Sequence, residues 1–81
     1  MSAKEMFEEL GYKHEHKLQN LIEYYTETRD LGKEKRWEKI SFDLSNKTYY
    51  KSYEKGIAGY ITIWEQQAIN KQIEELGWER E

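Results

Sequence analysis

No cysteine occurs among the 81 residues, so the chain has no disulfide staple, no thiolate nucleophile and no thiolate-ligated zinc. Its stability must come from packing. Valine is absent too, and Leu, Ile and Phe together number only 15. An aliphatic share this low accompanies disorder when net charge is large, but 16 acids against 13 bases leave only −3, which favours a folded chain. Of the 30 apolar residues, 12 are Phe, Tyr or Trp, so the core must be built on aromatics. No apolar run approaches the roughly 20 residues that span a bilayer, and the first residues lack a basic-then-apolar export pattern. The expected compartment is the cytoplasm. A chain this short supports one core, so a single domain over 1–81 is expected.

Two segments carry helix signals. Ser2 with Glu5, and Thr62 with Glu65, have the capping-box spacing, in which hydroxyl and carboxylate each satisfy a free backbone N–H at a helix start. Behind Ser2, the positions Ala3, Met6, Phe7 and Leu10 line one helical face; behind Thr62, Trp64, Ala68, Ile69, Ile73 and Leu76 do the same. Both segments end alike, at Glu8-Glu9-Leu10-Gly11-Tyr12 and Glu74-Glu75-Leu76-Gly77-Trp78. Glycine suits the left-handed position after a helix, and the aromatic that follows can fold back on Phe7 or on Ile73.

Between the helices the period changes from 3.6 to 2. Ile22, Tyr24, Thr26 and Thr28 alternate with Glu23, Tyr25 and Glu27, and Asp30-Leu31-Gly32-Lys33 supplies a turn. Ile40, Phe42 and Leu44 share one face of the next strand, with Trp37, Lys39, Ser41 and Asp43 on the other. Ser45-Asn46-Lys47 turns the chain into a third strand, Thr48 to Glu54, where Tyr49, Lys51 and Tyr53 alternate with Thr48, Tyr50 and Ser52. Gly56 to Gly59 forms a joint before the second helix. The expected fold is α+β, α-β-β-β-α, with both helices on one face of a three-stranded antiparallel sheet and the other face open. Its core should contain Met6, Phe7, Leu10, Ile22, Ile40, Phe42, Leu44, Ile69, Ile73 and Leu76.

Catalytic patterns are missing: there is no Gly-rich phosphate loop, no nucleophile elbow and no Ser-His-Asp order, and the acids sit at helix-exterior or alternating strand positions. The chain reads as a non-enzyme with no cofactor. His14 and His16 flank Glu15 with a spacing that could hold a metal, but no third ligand is indicated, so a polar connector is the expectation and no metal is assigned. Charge is unevenly divided. Residues 1–12 and 56–81 sum to −5, whereas residues 28–55 carry eight bases against five acids. Lys33, Lys35, Arg36, Lys39, Lys47, Lys51 and Lys55 interleave there with Trp37, Tyr49 and Tyr53, a mixture that suits single-stranded nucleic acid but equally suits cross-strand ion pairs.

Met6-Phe7-Glu8-Glu9-Leu10-Gly11-Tyr12 and Gln67-Ala68-Ile69-Asn70-Lys71-Gln72-Ile73-Glu74-Glu75-Leu76-Gly77-Trp78 resemble segments of small uncharacterised proteins of phages and prophages of Gram-positive bacteria. The resemblance covers about a third of the chain and implies an accessory protein that binds a host or phage macromolecule, with no functional residue to carry over. The expected function is therefore a non-enzymatic binding module for a host or phage protein. The alternative is a nucleic-acid binder using the basic, aromatic strands 35–55. Trp37, Lys39, Tyr49, Lys51 and Tyr53 are the expected partner-binding set, as an aromatic patch ringed by lysine on the open sheet face.

Overall fold

The computed structural model describes residues 1–18, 20–30, 34–54 and 60–78, and of residues 15–18, 28–30 and 34–36 the backbone alone. Its elements run α1 (Ala3–Glu9), β1 (Lys13–Leu18), β2 (Leu21–Asp30), β3 (Glu34–Asp43), β4 (Thr48–Tyr53) and α2 (Ile63–Leu76). The fold is α+β, but the antiparallel sheet has four strands in the order β1-β2-β3-β4, not three. No described helix is long and apolar enough to cross a membrane. The turn at Leu31-Gly32-Lys33 and the joint at residues 56–59 lie outside the described residues.

The strand that the sequence pattern missed is β1, Lys-His-Glu-His-Lys-Leu. It has no β-branched or aromatic residue to mark it. What makes it a strand is tertiary: β2 offers an open edge, and the ladder Lys13↔Tyr25, His14↔Tyr24, Glu15↔Glu23 satisfies backbone groups on both. A bulge between Glu15 and Leu18 precedes the short return into β2. The His14 ring, expected in a connector, instead lies 5.2 Å from the ring of Tyr24.

Both capping boxes form. Ser2 Oγ accepts from the Glu5 N–H at 3.1 Å while Glu5 Oε1 accepts from the Ser2 N–H at 2.9 Å, and Thr62 and Glu65 repeat the exchange at 3.1 and 2.8 Å. Both Schellman ends form as well: Gly11 and Gly77 have φ of 94° and 72°. Gly11 N–H donates to Glu8 O and Tyr12 N–H to Phe7 O; Gly77 N–H donates to Glu74 O and Trp78 N–H to Ile73 O. Replacing Gly77 by Val is expected to destabilise by about 1 kcal/mol or more, because a β-branched residue is strained at positive φ. An unchanged midpoint in urea would remove this cap from the account.

The helices run antiparallel across one sheet face, tied at one end by the Ala3 N–H donating to Glu75 Oε2 at 2.7 Å. Under them lies an aromatic core of Phe7, Tyr12, Tyr24, Ile40, Phe42, Ala68 and Ile69, flanked by Met6, Ile22, Ile61, Ile73 and Trp78. Phe7 stacks on Tyr24 with centroids 4.0 Å apart and meets Tyr12 and Phe42 edge-on. Three expected core residues lie outside this cluster and its flank. Leu10 is the exposed C-cap of α1, Leu76 is half-buried in the last turn of α2, and Leu44 has left β3 for the turn.

Candidate partner-binding surfaces

Directly paired residues of an antiparallel ladder share a face, and β3 pairs with β4 as Glu38↔Tyr53, Lys39↔Ser52, Ile40↔Lys51, Ser41↔Tyr50, Phe42↔Tyr49 and Asp43↔Thr48. The five expected binding residues are therefore divided. Trp37 and Lys39 lie on the open face, whereas Tyr49, Lys51 and Tyr53 lie on the helix-bearing face beside Phe42, Ile40 and Glu38. The correction has one cause. A three-residue turn at 45–47 would pair Leu44 with Thr48 and put Tyr49, Lys51 and Tyr53 opposite Asp43, Ser41 and Lys39. In the structure β3 ends at Asp43, so the turn is one residue longer and every side chain of β4 changes face. Asp43 holds that turn by accepting from the N–H of Ser45 at 2.9 Å and of Asn46 at 3.2 Å, and from Asn46 Nδ2 at 2.9 Å.

The open face is largely bound to itself. Ser41, only 1% exposed, donates to Glu23 Oε2 at 3.3 Å, and Lys39 Nζ lies 3.7 Å from the same oxygen and 6.0 Å from the Tyr25 ring centre. Tyr25 in turn donates to Glu27. Trp37 is half-buried there. Covered by its own lysine and carboxylates, this face offers less free aromatic surface than the alternation of its residues suggests.

On the helix side, Lys51 is a buried ion-pair centre, its side chain 5% exposed. Its ammonium is 2.9 Å from Glu38 Oε1 and 3.3 Å from both Glu65 oxygens, and it donates to the Tyr60 carbonyl at 2.8 Å. Glu65 also accepts from the Tyr12 hydroxyl and caps α2 through Thr62. Burial alone would lower the lysine pKa, but the Glu38 hydrogen bond and the charges of Glu65 and Glu38 outweigh it and raise it. Burial likewise works against the Glu65 carboxylate, yet the Thr62 backbone, Tyr12 and Lys51 hold it below the usual carboxylate range. Burial first, then the bond to Glu65, pushes the Tyr12 hydroxyl well above its ordinary value. Each of these pKa values is moved away from pH 7, which leaves the tyrosine neutral and the lysine and glutamate charged.

The signs of these shifts give a pH prediction. Tyr12, Tyr24 and Lys51 have folded pKa values above their ordinary ones, so their stabilisation is complete below about pH 10 and lost as pH rises. For Tyr24, pushed up to about 12 by burial and then by Glu75 and Glu8, the loss ends near pH 12. Glu65, with its folded pKa lowered, contributes above its ordinary 4.5 and ceases to as pH falls below it. Urea midpoints should thus hold a plateau between about pH 5 and 10 and decline on both sides. Tyr12→Phe should flatten the alkaline limb, and an alkaline limb unchanged in that variant would contradict the assignment.

Among the described residues the most exposed apolar side chains lie elsewhere. Ile63 and Trp64, in the first turn of α2, are 73% and 66% exposed, with Tyr60 just before them. Trp64 borders a depression of about 230 Å³ between the helices, lined also by Met1, Met6, Glu9, Leu10 and Gln67. The helical period assigns Trp64 to the core face, but the residues α2 buries are Glu65, Ala68, Ile69 and Gln72. Glu65 takes the first inward position because it reaches Tyr12 and Lys51, and Gln72 takes another because it accepts from the Tyr24 hydroxyl. That rotation of the stripe turns Trp64 outward. Polar residues on the inward face hid this in the sequence.

Among the described residues no three His, Asp or Glu side chains converge as a metal site. Compared with known proteins, the chain matches no family model, no curated protein and no solved structure.

Proposed function

We propose that the chain is a non-enzymatic binding module whose partner is a protein of a host cell or phage, engaged through the depression between α1 and α2. The observation that supports this most is Trp64, two-thirds exposed beside the exposed Leu10 at the rim of a preformed depression. Large exposed rings grouped with aliphatic side chains characterise protein-binding sites, and Trp leads among hot-spot residues. Glu9 on the rim favours a partner that sets a basic side chain next to its apolar anchor. A phage or prophage origin, and action in the host cytoplasm, belong to the same proposal and rest on the residue patterns at 6–12 and 67–78.

Single-stranded nucleic acid on strands 35–55 is the weaker reading. It would need Lys51 and Lys39 free, whereas the first is enclosed by Glu38 and Glu65 and the second pairs with Glu23. Capture from host lysate with nuclease treatment separates the two. The expected result is a discrete protein retained after nuclease and lost with Trp64→Ser. A partner lost on nuclease treatment, or one retained by Trp64→Ser, would overturn the proposal.

A further inference from the structure

The two edges of the sheet are treated differently. At β1 the edge carries Lys13, His14, Glu15, His16 and Lys17 and is broken by the bulge before Leu18, and charge and bulges are the usual protection against strand addition. At β4 the edge reads Thr-Tyr-Tyr-Lys-Ser-Tyr, an unbroken strand rich in β-forming residues with one charge. That charge gives no protection, because the Lys51 ammonium is turned inward onto Glu38, Glu65 and the Tyr60 carbonyl. Tyr50 on the open face and Tyr49 and Tyr53 on the helix face are 48%, 37% and 43% exposed, so aromatic surface is uncovered on both sides of the strand. Among the described residues no strand pairs with this edge, and an edge of this kind is costly to leave alone in solution.

We infer that β4 is a dimerisation edge, occupied by β4 of a second copy of this chain in a continuous antiparallel sheet. The Glu54 N–H donates to the Trp37 carbonyl, so in an antiparallel ladder residues 48, 50 and 52 turn their backbone groups toward β3. Tyr49, Lys51 and Tyr53 consequently present N–H and C=O to the open edge. A twofold axis through Lys51, perpendicular to the sheet, pairs Tyr49 with Tyr53 of the partner subunit and Lys51 with its own equivalent, and each such pair exchanges two backbone hydrogen bonds. This register uses every outward backbone group of those three residues, whereas one centred on Tyr50 leaves Tyr53 unpaired. The meeting of two lysines on the axis carries little repulsion, since each is already paired with two carboxylates of its own protomer. A second copy fits better than other occupants because the contact is self-complementary and closed. It covers the β4 edge of each protomer and leaves the charged, bulged β1 edges outside, so assembly stops at two.

Sedimentation equilibrium of the full chain, loaded from about 10 μM to 1 mM, tests this by mass action. The mass should rise from the 9.9 kDa chain toward twice that value and no further. Amide exchange at Tyr49, Lys51 and Tyr53 should slow as concentration rises. Tyr50→Lys restores a gatekeeper charge, and Tyr53→Pro removes an outward N–H without touching the β3 ladder; each should weaken dimerisation by at least about tenfold. Circular dichroism melting of both variants checks that they fold, and Tyr50→Lys, at a solvent-facing position, remains informative if Tyr53→Pro does not. A monomer throughout the range overturns the inference, as does open-ended growth, which would mean β4 pairing with β1 of another copy. A dimer that both folded variants retain places the contact elsewhere and also overturns it.

Discussion

Replacing Phe7 by Ala is expected to lower the unfolding free energy by about 3–5 kcal/mol. Phe7 is fully buried and touches the other three rings of the core: stacked on Tyr24, with Tyr12 and Phe42 edge-on. Its core neighbours Tyr12, Tyr24, Ile40, Phe42 and Ile69 each already fill a place of their own, so the space left by the ring closes only in part. The four rings come from α1, the segment after it, β2 and β3, so the vacancy opens at the point where helix and sheet meet. A domain of this size has a total stability of about 4–12 kcal/mol, and the variant should lose much of it. Urea unfolding followed by tryptophan fluorescence measures the loss. A shift below about 1 kcal/mol would mean that the aromatic stack is not the core's keystone.

Replacing Lys51 by Met should cost about 3 kcal/mol, toward the lower end for a broken buried ion pair. The methionine keeps most of the volume, so the loss is electrostatic: Glu65 remains buried without its cation, and the Tyr60 carbonyl loses its donor. Glu38, with its side chain 21% exposed, can regain water, which keeps the figure below the full penalty. Glu65 left without its cation binds a proton more readily in the folded state, so the deficit relative to wild type should shrink as pH falls toward 4. Lys51→Met combined with Glu65→Gln should recover part of the stability. A deficit that stays constant from pH 7 to pH 4 would show that Lys51 acts through packing alone.

Local chemistry made much of this molecule legible. Ser2 with Glu5 and Thr62 with Glu65 fix the helix starts, Gly11 and Gly77 fix the ends, and the alternation around Ile40 and Phe42 fixes the inward face of β3; each is decided by residues close in sequence. What escaped was decided at a distance. Lys13 to Leu18 carries no strand signal and is a strand because β2 needed a partner. One extra turn residue, Leu44, reversed the facing of Tyr49, Lys51 and Tyr53 and broke up the expected patch with Trp37 and Lys39. Glu65 is legible only as a capping residue and Gln72 carries no inward signal, yet each faces inward because a tyrosine from another element reaches it. The outward position of Trp64 follows from that and from nothing local.

Photocrosslinking from position 64 tests the central claim most directly, because it reads contact at one side chain. With a benzophenone amino acid in place of Trp64, illumination in host lysate should yield one discrete protein adduct that survives nuclease. The same residue at Trp37, on the open sheet face, should yield none. An adduct formed from position 37 and not from position 64, or one that consists of nucleic acid, would contradict the assignment of the inter-helix depression as the partner-binding site.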